Sequence, residues 1–150
     1  MTFHGVASAV LLSCMFVGCQ SQRADTPPAI RYGEEPCAQC RMLISEARYA
    51  AARITADGLA ETFDDIGCLI RYRAQHPAAE RRVWLHDYQT EMWLAASAAT
   101  CVRSPALATP MGSGIVALTT LNAAQDVAQT ARGRLVPCDA TPSSPVTLRQ

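Results

Sequence analysis

The segment Cys37-Ala38-Gln39-Cys40-Arg41-Met42 places two thiols and a thioether within six residues. Thiolates and thioethers are soft, polarizable donors that favour Cu(I) over the hard cations that prefer oxygen, so this spacing points to a sulfur-only copper site. A further thioether, Met111, sits in Thr109-Pro110-Met111-Gly112-Ser113-Gly114, where proline and glycine make a stiff, open turn. A methionine exposed on such a turn forgoes the burial energy that a core methionine gains, and reads as presented to something.

The chain has seven cysteines. Cys14 falls in an apolar leader and Cys19 at its end, which leaves Cys37, Cys40, Cys68, Cys101 and Cys138 for the domain. An odd number cannot all pair within one chain in an oxidising compartment, so at least one thiol is left over or stays reduced by holding a metal. Several readings compete for Cys37 and Cys40. A zinc site wants a second close pair, and the other cysteines are scattered singly. A thioredoxin-like redox pair wants a helix start after a strand, whereas this pair follows proline-containing coil. A plain structural disulfide is the bland alternative. Only the Cu(I) reading also accounts for Met42.

Cys68 lies in an expected helix between Ile66 and Leu69 and reads as a small buried hydrophobe. Cys101 and Cys138 occupy matching places in the second half and are either bridged or unpaired. His86 is a ligand candidate because imidazole suits copper, with a surface or supporting polar role preferred. Asp64 and Asp65 lack the base, nucleophile and oxyanion donors of a hydrolytic site, and Asp64 is expected to cap a helix.

These residues belong to a chain of 150 residues, 49% hydrophobic and without formal net charge, which suits one modest domain. All 13 basic residues are arginine, a compositional bias, and no single-sign field is present, which argues against nucleic-acid binding. The apolar run Val6 to Val17 is shorter than the about 20 residues needed to cross a bilayer and reads as a signal peptide over residues 1–18. Gly18 before Cys19 resembles the lipobox of bacterial lipoproteins, whose cysteine is acylated. The mature chain would then hang from a membrane by acyl chains on Cys19, through a flexible spacer over residues 19–36. The domain is expected over 37–140, with a disordered tail over 141–150.

Hydrophobic periodicity predicts an α+β domain. A strand over Arg48 to Ile54, an Asp57-Gly58 turn and a return strand over Leu59 to Phe63 lead into a helix closed by Pro77. A third strand follows over Arg82 to His86. Met92-Trp93-Leu94 is expected to pair back before an alanine-rich helical turn. Strands over Thr100 to Arg103 and Gly114 to Thr119, a helix over Leu121 to Arg132 capped by Thr120 and stopped by Gly133, and a strand over Arg134 to Pro137 repeat the order. The chain thus reads as two small ββαβ halves, about 37–88 and 100–138, in which Phe63-Asp64-Asp65 aligns with Leu118-Thr119-Thr120.

Four segments in order, Cys37 to Ile44, Phe63-Asp64-Asp65-Ile66-Gly67-Cys68-Leu69, His86-Asp87-Tyr88 and Thr109 to Gly114, resemble the NosL family of lipoprotein copper chaperones associated with nitrous-oxide reductase maturation. The resemblance covers about residues 37–138 and implies the two-half fold. It also implies a non-enzymatic carrier that delivers Cu(I) to the periplasmic reductase. By position it implies Cys40, Met42 and Met111 as ligands of one Cu(I), and Cys37 is added as an auxiliary or exchanging ligand. The family usually has glycine where this chain has Arg41. Partners implied are nitrous-oxide reductase as acceptor and a membrane copper donor, with the protein lipid-anchored in the cell envelope facing the periplasm. The rival is a lipid-anchored thiol-disulfide oxidoreductase using Cys37 and Cys40; a scaffolding lipoprotein is a third reading.

Overall fold

The computed structural model describes residues 26–138. The expected signal peptide, the acylated Cys19 and the tail over 141–150 lie outside the described residues. Among those described, no helix is long and apolar enough to cross a membrane.

Turn chemistry and alternation build the first half. Strand β1 (Ala51–Thr55) passes through Asp57-Gly58, with Gly58 at φ 91°, and returns as β2 (Ala60–Phe63), antiparallel in the register Ala51 to Phe63. Helix α1 (Ile66–Gln75) follows, and β3 (Glu80–His86) pairs with the other edge of β1. Strand β4 (Trp93–Ala95) pairs back on β3 as expected, giving the order β2-β1-β3-β4, and a 3-10 turn over Ala96–Ala98 follows. The first strand starts later than the expected Arg48. Residues Ala47–Tyr49 form a 3-10 turn closed by Ala50 N donating to Ala47 O at 2.9 Å, and Arg48 turns outward to Glu91 at 2.7 Å.

The second half repeats the plan with β5 (Thr100–Arg103), β6 (Ile115–Leu118), α2 (Leu121–Thr130) and β7 (Arg134–Val136), in the order β6-β5-β7. Each half is a ββαβ unit whose first strand is central, so the α+β fold of two pseudo-repeated halves is the one observed. Thr120 caps α2 by accepting from Ala123 N at 3.2 Å. Its counterpart in α1 is Asp65, not the expected Asp64. Asp65 accepts from Gly67 N at 2.5 Å, whereas the Asp64 carboxylate is committed to Ser45 N at 3.1 Å.

Two helix-end expectations also shift. Helix α2 stops at Thr130 instead of Arg132, in a Schellman arrangement where Gly133 N donates to Ala128 O at 2.7 Å and Arg132 N to Gln129 O at 3.2 Å. The left-handed residue is Arg132 (φ 51°), not Gly133. Gly133 is required for a different reason, since a Cβ there would lie 2.8 Å from Arg103 O. The packed chain also begins before Cys37. Ile30 packs on the core, Gly33 N donates to Ile44 O at 2.8 Å, and Ile44 N donates to Glu35 O at 2.9 Å. The expected spacer therefore ends short of residue 36.

The second sheet is apolar on both faces because each covers a different partner. Val102, Val116 and Leu118 face Ala124 and Ala128 of α2. Cys101, Ile115 and Ala117 join Phe63, Ile66, Leu69 and Leu85 in the main core, which therefore spans both halves. Beneath α1, buried Arg53 pairs with Glu61 and with Glu80 at 3.4 Å, and Glu80 also holds Arg73 at 2.7 Å. A disulfide joins Cys101 to Cys138, resolving the pairing that the sequence left open. Its 37-residue separation implies about 4 kcal/mol of stabilisation in the chain-entropy model.

Asp87 joins the halves. Its carboxylate accepts from Thr119 N (2.7 Å), Thr119 Oγ1 (2.6 Å), Gln89 N (2.9 Å) and Thr90 N (2.9 Å), while Tyr88 N donates to Ala117 O at 2.8 Å. Burial by itself would raise the pKa of this group, but these donors prevail and hold it at about 2. An unfolded aspartate titrates near about 3.9, so the stabilisation is present above that pH and is lost as pH falls through the folded value. In denaturant titrations, stability should fall between about pH 5 and pH 2. Asp87→Asn should flatten that fall by about 1–2 kcal/mol; an unchanged pH slope in the variant would refute this role.

Candidate metal site

A short hairpin carries the first two thiols. Cys37 N donates to Met42 O at 2.8 Å and Arg41 N to Cys37 O at 3.0 Å, with Pro36 bridged to Leu43. Arg41 holds φ 65°, the left-handed conformation that glycine adopts at least cost, so the turn keeps its shape with arginine at that position. Ala38 N donates to Thr62 O at 2.9 Å, which stitches the hairpin to the end of β2 beside the start of α1.

The third thiol comes from α1. Cys68 lies in its first turn and faces the hairpin, and the Sγ atoms of Cys37, Cys40 and Cys68 all lie within 4.8 Å of one another. All three are free cysteines; Cys37 and Cys68 are buried and Cys40 is half-buried. Cys68 is thus buried, as the sequence implies, but it is also part of the cluster. Its role as a donor was not foreseen, because helical periodicity reports which face is inward and not what meets it there. The odd cysteine count was the available signal.

The cluster favours one negative charge. The Cys37 thiol is pulled down to about 5, chiefly by the Cys68 thiol donating to it; burial opposes this, and the backbone N–H groups of Cys40, Asp64 and Gln39 assist. The Cys68 thiol is pushed up by that same bond and by burial, and burial raises Cys40. Arg71 Nη2 approaches Cys68 Sγ at 3.3 Å and adds a positive charge at the rim. Three thiolates around one ion at about 2.3 Å would stand about 4 Å apart, so only a small contraction would be needed. Soft donors of this kind suit Cu(I), and the described residues supply no fourth cysteine, histidine or carboxylate to complete a zinc site within the group.

The two candidate methionines lie on different elements, Met42 on the hairpin and Met111 on a second-half turn. Met42 lies two residues beyond Cys40 and is 61% exposed. Met111 is 38% exposed, and its backbone N donates to Asp65 Oδ2 at 3.2 Å, beside Thr109 Oγ1 on the same oxygen at 2.6 Å. The Asp65 carboxylate therefore caps α1 and also anchors the Met111 turn over it. Gly67 leaves the space for that turn, since a Cβ there would lie 2.4 Å from the Ser113 Cβ. His86 stands apart from the thiols. It is buried, with Nε2 2.9 Å from Tyr32 Oη, Nδ1 2.8 Å from Glu91 O, and its ring against Trp93 at 3.7 Å. Burial lowers its pKa, and it is a buried, hydrogen-bonded histidine, not a surface one.

Two antiparallel sheets with a thiol cluster where a hairpin meets a helix start define a small α+β protein built around free sulfur donors. The NosL family model matches residues 29–146, and the chain belongs to the NosL family. A search of curated proteins finds no match. Among solved structures, the crystal structure of the copper chaperone NosL from Shewanella denitrificans is similar with a TM-score of 0.69 and 18% identity. The alignment covers 79% of this chain and 98% of that one, and the likeness establishes a shared fold.

Asp65→Ala removes a helix cap and two bonds to the Met111 turn. It should cost about 2 kcal/mol of stability and speed amide exchange at Met111 by about tenfold. Unchanged exchange at Met111 would show that the carboxylate does not hold the turn.

Proposed function

We propose that this chain is a Cu(I) carrier that holds its cargo on sulfur and takes no part in catalysis. The observation that carries this reading is the convergence of three free thiols in a chain whose other two domain cysteines are already bridged. Thiols this close in an oxidising space would pair off unless occupied, and a soft monovalent ion is the occupant their chemistry favours.

Donor exposure is graded, and the proposed transfer follows that gradient. Cys37 and Cys68 are buried, Cys40 is half-buried, and Met42 and Met111 reach solvent. In this reading Cys40, Met42 and Met111 hold Cu(I), with Cys37 as auxiliary ligand and Cys68 added as a third thiol. A thioether binds more weakly than a thiolate, so an incoming acceptor displaces the exposed methionines first while the thiols retain the ion. The lowered pKa of Cys37 supplies one thiolate before metal arrives. Family membership supports nitrous-oxide reductase as the acceptor and a membrane copper exporter as the donor. An acylated Cys19 would tether the carrier on the periplasmic face of a bacterial membrane, raising its concentration beside that donor.

The oxidoreductase alternative needs an exposed thiolate to attack a substrate disulfide. Here the acidified thiol, Cys37, is buried, and the more exposed one, Cys40, is raised. Competition with a chromogenic Cu(I) chelator under anaerobic conditions tests the carrier. One ion per chain is expected, with affinity falling about 10–100-fold in Cys40→Ser and less in Met42→Ala or Met111→Ala. Full retention of copper after Cys37, Cys40 and Cys68 are all changed to serine would overturn the proposal, as would thiol-dependent insulin reduction without copper binding.

A further inference from the structure

Beside the thiol cluster, at the seam between the halves, lies a cleft of about 420 Å³. One wall is α1 with Ile70 and Arg71, and the other is the second sheet with Arg103, Ile115, Arg134 and Leu135. Gly67 and Gly112 close the end toward the metal site; they adjoin Cys68 and Met111 in sequence. Among the described residues, no carboxylate lines the cleft and none of its three arginines forms an ion pair. This is a local excess in a chain with no net charge.

The arrangement of two of those arginines sharpens the point. Arg103 and Arg134 are direct cross-strand partners on β5 and β7, so their side chains leave the same face of the sheet. Like charges directly opposite one another destabilise a sheet, and a bound anion would relieve that repulsion. Guanidinium groups present planar forks that fit carboxylates. Between the forks the floor is apolar, formed by Ile70, Ile115 and Val136, the last on the same face of β7 as Arg134. A bare inorganic anion would gain nothing from such a floor, whereas a peptide carrying both carboxylates and an aliphatic side chain would use both features.

We infer that this cleft docks an acidic, aliphatic-bearing segment of a partner protein and so seats that partner against the rim of the thiol cluster. The docking itself stands on charge and shape alone. That the seated partner exchanges copper there rests on the carrier reading above.

Fluorescence anisotropy of a short labelled peptide of alternating glutamate and leucine, at about 0.15 M salt, tests the site on the full mature chain. The Arg103→Gln/Arg134→Gln pair should weaken binding about tenfold or more, and Arg31→Gln/Arg81→Gln, the same charge change outside the cleft, should leave it intact. Chelator competition on both variants should give unaltered copper retention, which also shows that they are folded. Equal weakening by both pairs would overturn the inference in favour of net charge, and so would absence of peptide binding to the unaltered chain. Arginine-dependent binding to phosphatidylglycerol vesicles without peptide binding, or an arginine-dependent dimer in sedimentation, would replace the partner protein with a membrane or a second copy. If copper is not retained by any form, the carrier reading falls while the peptide result stands on its own.

Discussion

A buried carboxylate, that of Asp65, sits where the two halves meet. It accepts from Gly67 N inside α1 and from Thr109 Oγ1 and Met111 N across the seam. Burying a carboxyl group away from water is costly unless donors surround it, so this group is satisfied only while the second-half turn is docked on the first-half helix. The helix start, the position of Cys68 and the position of Met111 therefore depend on one another. Asp87 plays the reciprocal part at the end of β3, with Thr119 as its partner in the second half. Each half contributes an acid or hydroxyl group that the other completes, which is why the ββαβ units are not independent.

Coupling of this kind makes the sulfur cluster a property of the whole fold. The hairpin that bears Cys37 and Cys40 is bonded to the end of β2 through Ala38, and β2 leads directly into the helix that bears Cys68. The bond from the Cys68 thiol to the Cys37 sulfur lowers Cys37 while it raises Cys68. The site is thus primed with one negative charge, and further thiolates would form as protons leave on metal binding. In the main core, the same side of the second sheet that supports this cluster carries Cys101, whose bond to Cys138 closes the chain over the core.

Much of this organisation was legible from residue order. Asp57-Gly58 marked the first hairpin, Thr120 the second helix, and the run Ile115–Leu118 a strand, because each depends on backbone preferences local to a few residues. The alignment of Phe63-Asp64-Asp65 with Leu118-Thr119-Thr120 even carried the correct cap: it set Asp65, not Asp64, opposite Thr120. Reading Asp64 as the cap failed because two adjacent aspartates offer the same side chain, and only the competing bond to Ser45 tells them apart. Gly133 misled for a related reason. Glycine is needed there for close packing on Arg103, while Arg132 takes the left-handed turn.

By itself, then, the sequence determined the two-half α+β plan, the sulfur-rich turn and the surplus of thiols, since periodicity, turn residues and counting are local or additive. Tertiary structure alone decided which cysteines bridge, that Cys68 meets Cys37 and Cys40, that His86 is committed to Tyr32 and Glu91, and that three arginines share one cleft. Those outcomes depend on contacts between residues far apart in the chain, whose geometry is fixed only when the two halves pack on a common core.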